Sequence, residues 1–267
     1  MSRTLSEVFD DTRSHDRAAL IGYLPAGFPD ARRAVELITD MVAAGVDIVE
    51  VGLPYSDPLM DGPDIQAAVD QALTSGATPD VVLDTVAQVV AAGATALVMS
   101  YWNPIERYGT DRFADRMASA GGAGVITPDL TPEEAGAWIS ATDRAGLDRV
   151  FLVAPSSTDQ RIETVAAVTS GFLYAASTMG VTGTRTQVSS AAPGLVRRAR
   201  ALTDLPIAVG LGVSTGDQAS EVAAYADGVI VGSAFVRRIL QAPDHESARA
   251  GVRELAAELA EGVRRHP

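Results

Sequence analysis

Short apolar runs alternate with longer amphipathic segments along most of the chain. Each run has four to six residues, is rich in Val, Ile, Leu and Ala, and is typical of a strand that is buried on both faces. The pattern predicts strands at 19–24, 48–53, 96–101, 124–127, 150–154, 172–177, 207–211 and 228–231.

The segments between these runs repeat apolar residues every three or four positions, as amphipathic helices do. The pattern predicts helices at 31–44, 79–92, 111–120, 132–145, 158–169, 193–202 and 217–225. Several of these helices are followed by glycine, which adopts the left-handed conformation of a helix end without a Cβ clash. The glycines expected to end helices are Gly45, Gly93, Gly121, Gly146 and Gly171.

Eight strands that alternate with helices indicate a parallel sheet with right-handed helical crossovers. Eight such units can close into a barrel, and 267 residues is an ordinary length for one barrel domain. The competing fold is a doubly wound open sheet, but residues 22–27 after the first strand lack its glycine-rich fingerprint. We predict a single α/β domain over residues 1–267, a (β/α)8 TIM barrel with a helical extension at 1–17.

Composition narrows the chemistry and the partners that we expect. The net charge of −13 opposes binding to nucleic acid or to an anionic membrane, and no apolar segment has the length of a membrane span or a signal sequence. We therefore expect a cytoplasmic protein. The chain has no cysteine, its 21 basic residues are all arginine, and its three histidines lack the spacing of a zinc site. Thiolate, Schiff-base and metal chemistry are thus disfavoured, which leaves carboxylates, hydroxyls and backbone amides.

Three carboxylates lie at or just beyond the end of the second predicted strand. TIM-barrel sites lie at the C-terminal ends of the strands, and an acid in an apolar strand needs a specific role. Apolar surroundings should raise the pKa of Glu50 and let it both donate and accept a proton, although a structural carboxylate bonded to loop amides is an alternative. Asp57 has the sequence of an Asx turn, and Asp61 fits either a turn or catalysis.

Glycine clusters follow the sixth, seventh and eighth predicted strands, at 180–183, 210–212 and 232–233. Glycines let backbone amides approach an anion, and Gly232 and Ser233 precede a short predicted helix at 234–240. We therefore predict a phosphate-binding site at the C-terminal ends of strands 6–8. Tyr174 fits either a ligand contact or core packing, and residues 101–104 are interpreted as a core aromatic pair with a turn.

The segment at 50–63, Glu-Val-Gly-Leu-Pro-Tyr-Ser-Asp-Pro-Leu-Met-Asp-Gly-Pro, resembles the signature of the tryptophan synthase alpha subunit. The resemblance extends through 23–27, 180–183, 210–212 and 232–233. It implies a retro-aldol cleavage of indole-3-glycerol phosphate to indole and glyceraldehyde 3-phosphate without metal or Schiff base. Two residues depart from the family pattern: Pro25 replaces a common threonine, and Thr178 stands where some members have arginine.

The resemblance also implies roles for individual residues. Glu50 would move a proton between the side-chain hydroxyl and indole C3, Asp61 would stabilise positive charge at the ring nitrogen, and Tyr174 matches the active-site tyrosine. The implied phosphate donors are Gly183, Gly212, Gly232 and Ser233. The implied apolar positions around the indole are Tyr23, Met99, Ile126 and Leu211.

The resemblance also implies partners, while the glycine clusters leave rival functions open. The family works in an alpha-beta-beta-alpha heterotetramer, in which a beta subunit holds pyridoxal phosphate and receives indole, so the alpha chain itself needs no cofactor. The Asp61 loop and the segment after Ser177 would then close on substrate and report occupancy to the partner. One rival is a sugar-phosphate isomerase or epimerase, and another is a barrel that keeps only ligand binding. An indole-glycerol-phosphate synthase is disfavoured because that enzyme relies on lysine.

Overall fold

The fold is taken from a computed structural model, which describes residues 3–176, 191–210 and 212–264. One parallel sheet contains every strand of these residues. The strands are β1 (Ala19–Pro25), β2 (Ile48–Gly52), β3 (Thr95–Met99), β4 (Gly124–Ile126), β5 (Asp148–Val150), β6 (Leu152–Val153), β7 (Leu173–Ala176), β8 (Ile207–Gly210) and β9 (Gly228–Val231).

The sheet curls into a nearly closed barrel. Its strand order is β5-β4-β3-β2-β1-β9-β8-β7-β6, so β5 and β6 form the two ends. β6 lies within the fifth predicted run, 150–154, and β5 ends at the first residue of that run, so Phe151 separates the two strands. β5 pairs with β4 and β6 pairs with β7, so this one stretch of chain bridges both ends of the sheet. The TIM-barrel prediction is confirmed, with the correction that two short strands, over 148–153, replace the one strand predicted at 150–154.

Helices surround the barrel and follow the strands in sequence. The described helices are α1 (Leu5–Ser14), α2 (Ala31–Ala43), α3 (Pro63–Thr74), α4 (Pro79–Ala91), α5 (Trp102–Tyr108), α6 (Thr110–Ser119), α7 (Gly136–Ala145), α8 (Asp159–Val168), α9 (Ala192–Arg200), α10 (Gly216–Ala223), α11 (Ser233–Leu240) and α12 (His245–Gly262). In these parts of the chain, no helix is both long and apolar enough to span a membrane.

The predicted helices are present, with some changes at their ends. The helix predicted at 132–145 begins at Gly136, because the residues before it form a turn in which Ala135 N–H donates to Pro132 C=O. The prediction of a turn at 101–104 is wrong, since α5 begins at Trp102. All five glycines expected to end helices have a positive φ, between 67° and 118°.

Side chains that alternate along the strands divide the core into two layers. The inner layer fills the barrel with one residue or more from most strands, together with Phe9 of α1 and Phe172. The outer layer packs between the sheet and the helices and includes Val49, Val51 and Trp138. Side chains two positions apart on a strand face the same side of the sheet. Because Ile48 faces the barrel interior, Glu50 does so too.

Candidate active site

The C-terminal mouth of the barrel brings together several residues predicted for the site. Side chains two positions apart on a strand face the same way, so the predicted residues that lie two positions from an inner-layer residue also face the interior. Glu50 is paired in register with Tyr23 on one side and with Leu97 on the other. The predicted site residues on this face are Tyr23, Glu50, Met99, Ile126 and Tyr174.

Glu50 is the most deeply buried acidic residue at this mouth, with 1% of its surface exposed. Among the described residues its Oε1 has no hydrogen-bond partner. Burial raises its pKa from 4.5 to about 8, because the ionised form is poorly solvated there. The alternative of a structural carboxylate bonded to loop amides would lower the pKa instead, so the geometry favours a protonated acid at neutral pH.

Two tyrosines occupy space that glycines leave open. A Cβ at Gly52 would lie 2.5 Å from the Tyr23 hydroxyl oxygen, and a Cβ at Gly210 would collide with the Tyr174 hydroxyl. Burial raises the pKa of both phenols well above the ordinary value, with smaller contributions from Asp61 and Glu50 at Tyr23 and from Glu50 at Tyr174. Both hydroxyls therefore keep their protons at neutral pH and can donate a hydrogen bond.

Asp61 lies in the loop between β2 and α3 and is held from two sides. The Tyr101 hydroxyl donates to Asp61 Oδ1 at 3.0 Å, and Gln66 Nε2 donates to the Asp61 carbonyl oxygen at 2.7 Å. Burial raises the pKa of Asp61, and the hydrogen bond from Tyr101 opposes that rise. Asp57 is exposed and its Oδ2 accepts a hydrogen bond from the neighbouring Ser56 hydroxyl at 2.6 Å. The structure therefore separates Asp61, at the mouth, from Asp57, on the surface.

Tyr101 is the functional candidate that the sequence interpretation missed. It is 7% exposed, its oxygen also accepts from Met60 N–H at 3.0 Å, and its ring packs 5.6 Å from the ring of Tyr55. Pro25 has no hydroxyl, and Tyr101 donates a hydroxyl hydrogen bond to Asp61. Its place just beyond the C-terminal end of β3, where barrel sites lie, was the available signal.

Asp129 lies at the end of another strand, but its contact is with the backbone of α5. Its Oδ1 accepts from Trp102 N–H at 2.8 Å, at the first position of that helix. A carboxylate is favourable there because it accepts a hydrogen bond from a free amide and because its negative charge interacts favourably with the positive end of the helix dipole. Asp129 thus fixes the start of the helix that follows Tyr101.

The predicted phosphate site is described in part. Gly212 has φ +70°, and Gly232 is the N-cap of α11, which Ser233 begins. In the parts of the chain that the structure describes, no side chain caps this helix, so its first amides can face an anion. A Cβ at Gly232 would lie 3.2 Å from Tyr23 Cδ1, which places this end of α11 beside the barrel mouth. Gly183, Leu211 and Thr178 lie outside the described residues.

Apolar side chains complete the mouth beyond Glu50. Met99 is paired in register with Ile126, and both belong to the interior layer or pack against it. Leu152, paired with Tyr174, packs against the same layer and was not predicted. Alternation from the interior residue Val150 was the signal that could have identified it.

Comparisons with known proteins agree on one family. A family model described as tryptophan synthase alpha chain matches residues 9–264. The tryptophan synthase alpha chain of Thermobifida fusca is 60% identical over 257 residues, or 95% of each chain. That of Mycobacteroides abscessus is 58% identical over 261 residues, which cover 98% of this chain and 97% of the relative.

Solved structures give the same result. A chain from a structure of Mycobacterium tuberculosis tryptophan synthase superposes with a TM-score of 0.92 at 51% identity, and the match covers 99% of this chain and 100% of the other. The motif at 50–63, the barrel and the full-length matches agree. The chain belongs to the tryptophan synthase alpha chain family.

Proposed function

We propose that this chain cleaves indole-3-glycerol phosphate to indole and glyceraldehyde 3-phosphate, with Glu50 and Asp61 as its catalytic carboxylates. Membership of the family makes the chain a carbon-carbon lyase of tryptophan biosynthesis. The observation that most supports the residue assignment is Glu50, a buried acid whose pKa of about 8 lets it exchange a proton at neutral pH. Burial is the largest cause of the raised pKa of Tyr23, and the next two are the charges of Asp61 and Glu50. Both carboxylates therefore lie near the Tyr23 ring.

The reaction transfers one proton within the substrate, and Glu50 is suited to both halves of the transfer. In its neutral form it donates a proton to indole C3, and the carboxylate then accepts the proton of the hydroxyl on the adjacent side-chain carbon. The bond between these two carbons breaks, its electron pair restores the indole ring, and the hydroxyl carbon becomes the aldehyde. The proton count of the enzyme is unchanged after one turnover.

Asp61 is suited to the charge that develops on the ring. Protonation at C3 makes the ring nitrogen positive, and a partly desolvated carboxylate stabilises that charge more strongly than water would. The hydrogen bond from Tyr101 fixes Oδ1 of Asp61 in place. We assign Tyr174 to contact with the substrate, with its hydroxyl held beside Gly210.

The glycine-rich ends of the last three strands are proposed to bind the substrate phosphate. Gly183, Gly212, Gly232 and Ser233 would donate backbone or hydroxyl hydrogen bonds, and the N-terminus of α11 adds a favourable dipole. Neutral donors of this kind bind phosphate on a chain with a net charge of −13. Tyr23, Met99, Ile126 and Leu211 would surround the indole ring.

We further propose that the chain works in an alpha-beta-beta-alpha heterotetramer and passes indole to a beta subunit that holds pyridoxal phosphate. This chain has no lysine to bind that cofactor covalently, so we expect no cofactor on it. Leu59 is 73% exposed, in the loop that holds Asp61, which suits a partner contact near the site. The cytoplasmic location remains a prediction.

The test is to incubate the purified chain with indole-3-glycerol phosphate, with and without a beta subunit, and to quantify indole and glyceraldehyde 3-phosphate together. The proposal predicts equal amounts of both products. Ribulose phosphates and anthranilate derivatives serve as alternative substrates, because the rival phosphate-binding barrels act on them. Turnover of those compounds and no indole, even with the partner present, would refute the proposal.

A further inference from the structure

An ion pair joins α11 to α3, the helices that follow the predicted phosphate site and the Asp61 loop, although its residues lie 173 positions apart in the chain. Arg237 Nε and Nη2 donate to Asp64 Oδ2 at 3.1 Å and 2.6 Å. Arg237 lies on α11, four residues after Ser233 at the phosphate end of that helix. Asp64 lies in the first turn of α3, three residues after Asp61.

The two helices form one packed unit with the strand beneath them. α11 contacts α3, and both contact β1, the strand that contains Tyr23. Gln66, also on α3, donates to the Asp61 carbonyl oxygen at 2.7 Å. A shift of α3 would therefore move the Asp61 backbone, and Arg237 restrains α3 against α11.

We propose that Arg237 and Asp64 are positioning residues that set the distance between the phosphate end of the site and Asp61. The inference rests on the proposed function, because it assumes that phosphate binds at Ser233 while Asp61 faces the indole nitrogen. The bound phosphate then holds α11 in place, and the ion pair holds the first turn of α3 against α11. Both residues would act through the helices that they join and not through contact with the substrate.

The geometry favours this role over a contribution to stability alone. The two side chains are 40% and 24% exposed, and ion pairs of that exposure contribute little to the free energy of unfolding. Substitutions should therefore leave a folded chain. A misplacement of a catalytic group by a fraction of an ångström lowers the turnover rate much more than it lowers stability.

The experiment measures kcat and KM for indole formation, and the thermal unfolding midpoint, in Arg237→Gln, Asp64→Asn and the double variant. We expect each single variant to lower kcat about tenfold with little change in KM, since the bound phosphate stays in place while Asp61 is misplaced. The double variant should be no slower than either single variant, because all three remove the same contact. Arg237→Lys should restore part of kcat.

The control is Arg116→Gln, which breaks the ion pair of Arg116 with Asp80, between α6 and α4. Arg116 is 42% exposed, close to the value for Arg237, and we expect native kcat from its variant. Native kcat in Arg237→Gln, losses that multiply in the double variant, or an equal loss in the control would overturn the positioning role while the native enzyme still releases indole. A native chain that releases no indole would refute the proposed function and the positioning role with it.

Discussion

Replacement of Glu50 by glutamine tests whether this carboxyl is held neutral by burial. Glutamine has nearly the same shape and is uncharged at every pH. The unfolded chain loses the glutamate proton near 4.5, whereas the folded chain keeps it up to about 8. Between these values the folded state binds more protons at position 50 than the unfolded state does. Rising pH therefore lowers the free energy of unfolding of the native protein, whereas glutamine at position 50 of the variant causes no such decrease.

The size of the effect follows from the two pKa values. Each pH unit between them changes the free energy of unfolding by about 1.4 kcal/mol, and the interval from 4.5 to about 8 corresponds to about 5 kcal/mol. From about pH 5.5 to about pH 8.5, Glu50→Gln should gain about 3 kcal/mol relative to the native protein, with a plateau above about pH 8.

Urea unfolding across this pH range, followed by far-ultraviolet circular dichroism and by tryptophan fluorescence, measures the difference. Groups that titrate identically in both proteins cancel. Glu163→Gln, the same change at an exposed position of α8, is the control and should not reproduce the gain expected for Glu50→Gln. A pH-independent difference for Glu50→Gln as well would show that Glu50 is already ionised in the folded protein, and would refute the reasoning.

The other predictions concern the surroundings of Glu50 and the reaction itself. Tyr101→Phe removes the donor to Asp61 and should slow indole formation about tenfold or more without loss of circular dichroism, as expected for a hydrogen bond to a charged group; native rates would contradict this. Gly210→Ala places a methyl group against the Tyr174 hydroxyl and should lower the free energy of unfolding by about 1–3 kcal/mol. Gly194→Ala, in open space on a helix, should instead be neutral or stabilising, and equal losses in chemical denaturation would argue against a steric cause. The value of kcat/KM should fall above about pH 8 as Glu50 loses its proton, and at acid pH as Asp61 gains one; a flat profile on the alkaline side would contradict the initial acid role.

The sequence predicted the barrel because the strands and most of the helices have local signals, although α3, α5 and α12 were not predicted. The apolar runs and the glycines after the helices depend on neighbours within a few residues, and Glu50 was found because an acid in a buried strand is unusual. The interruption at Phe151 was not predictable in this way. It depends on how β5 and β6 pair with different neighbours at the point where the sheet closes.

Apart from Leu152, which alternation along the strand could have identified, the parts of the site that sequence analysis missed depend on contacts between distant segments. Tyr101 reaches Asp61 across 40 positions, and Arg237 reaches Asp64 across 173. A single sequence contains no local pattern for such a pair. The resemblance to a family assigned Asp61 to the site, but only the fold shows that its carboxylate accepts a hydrogen bond from Tyr101.

The most direct test of the central claim is the rate of indole formation in a single turnover of indole-3-glycerol phosphate by native enzyme and Glu50→Gln, with enzyme in excess and a beta subunit present. Single turnover separates the chemical step from product release. The claim that Glu50 moves the proton predicts that the variant binds substrate but forms indole at least about a hundredfold more slowly, as expected for loss of a general acid-base group. Native rates from a folded Glu50→Gln would contradict it.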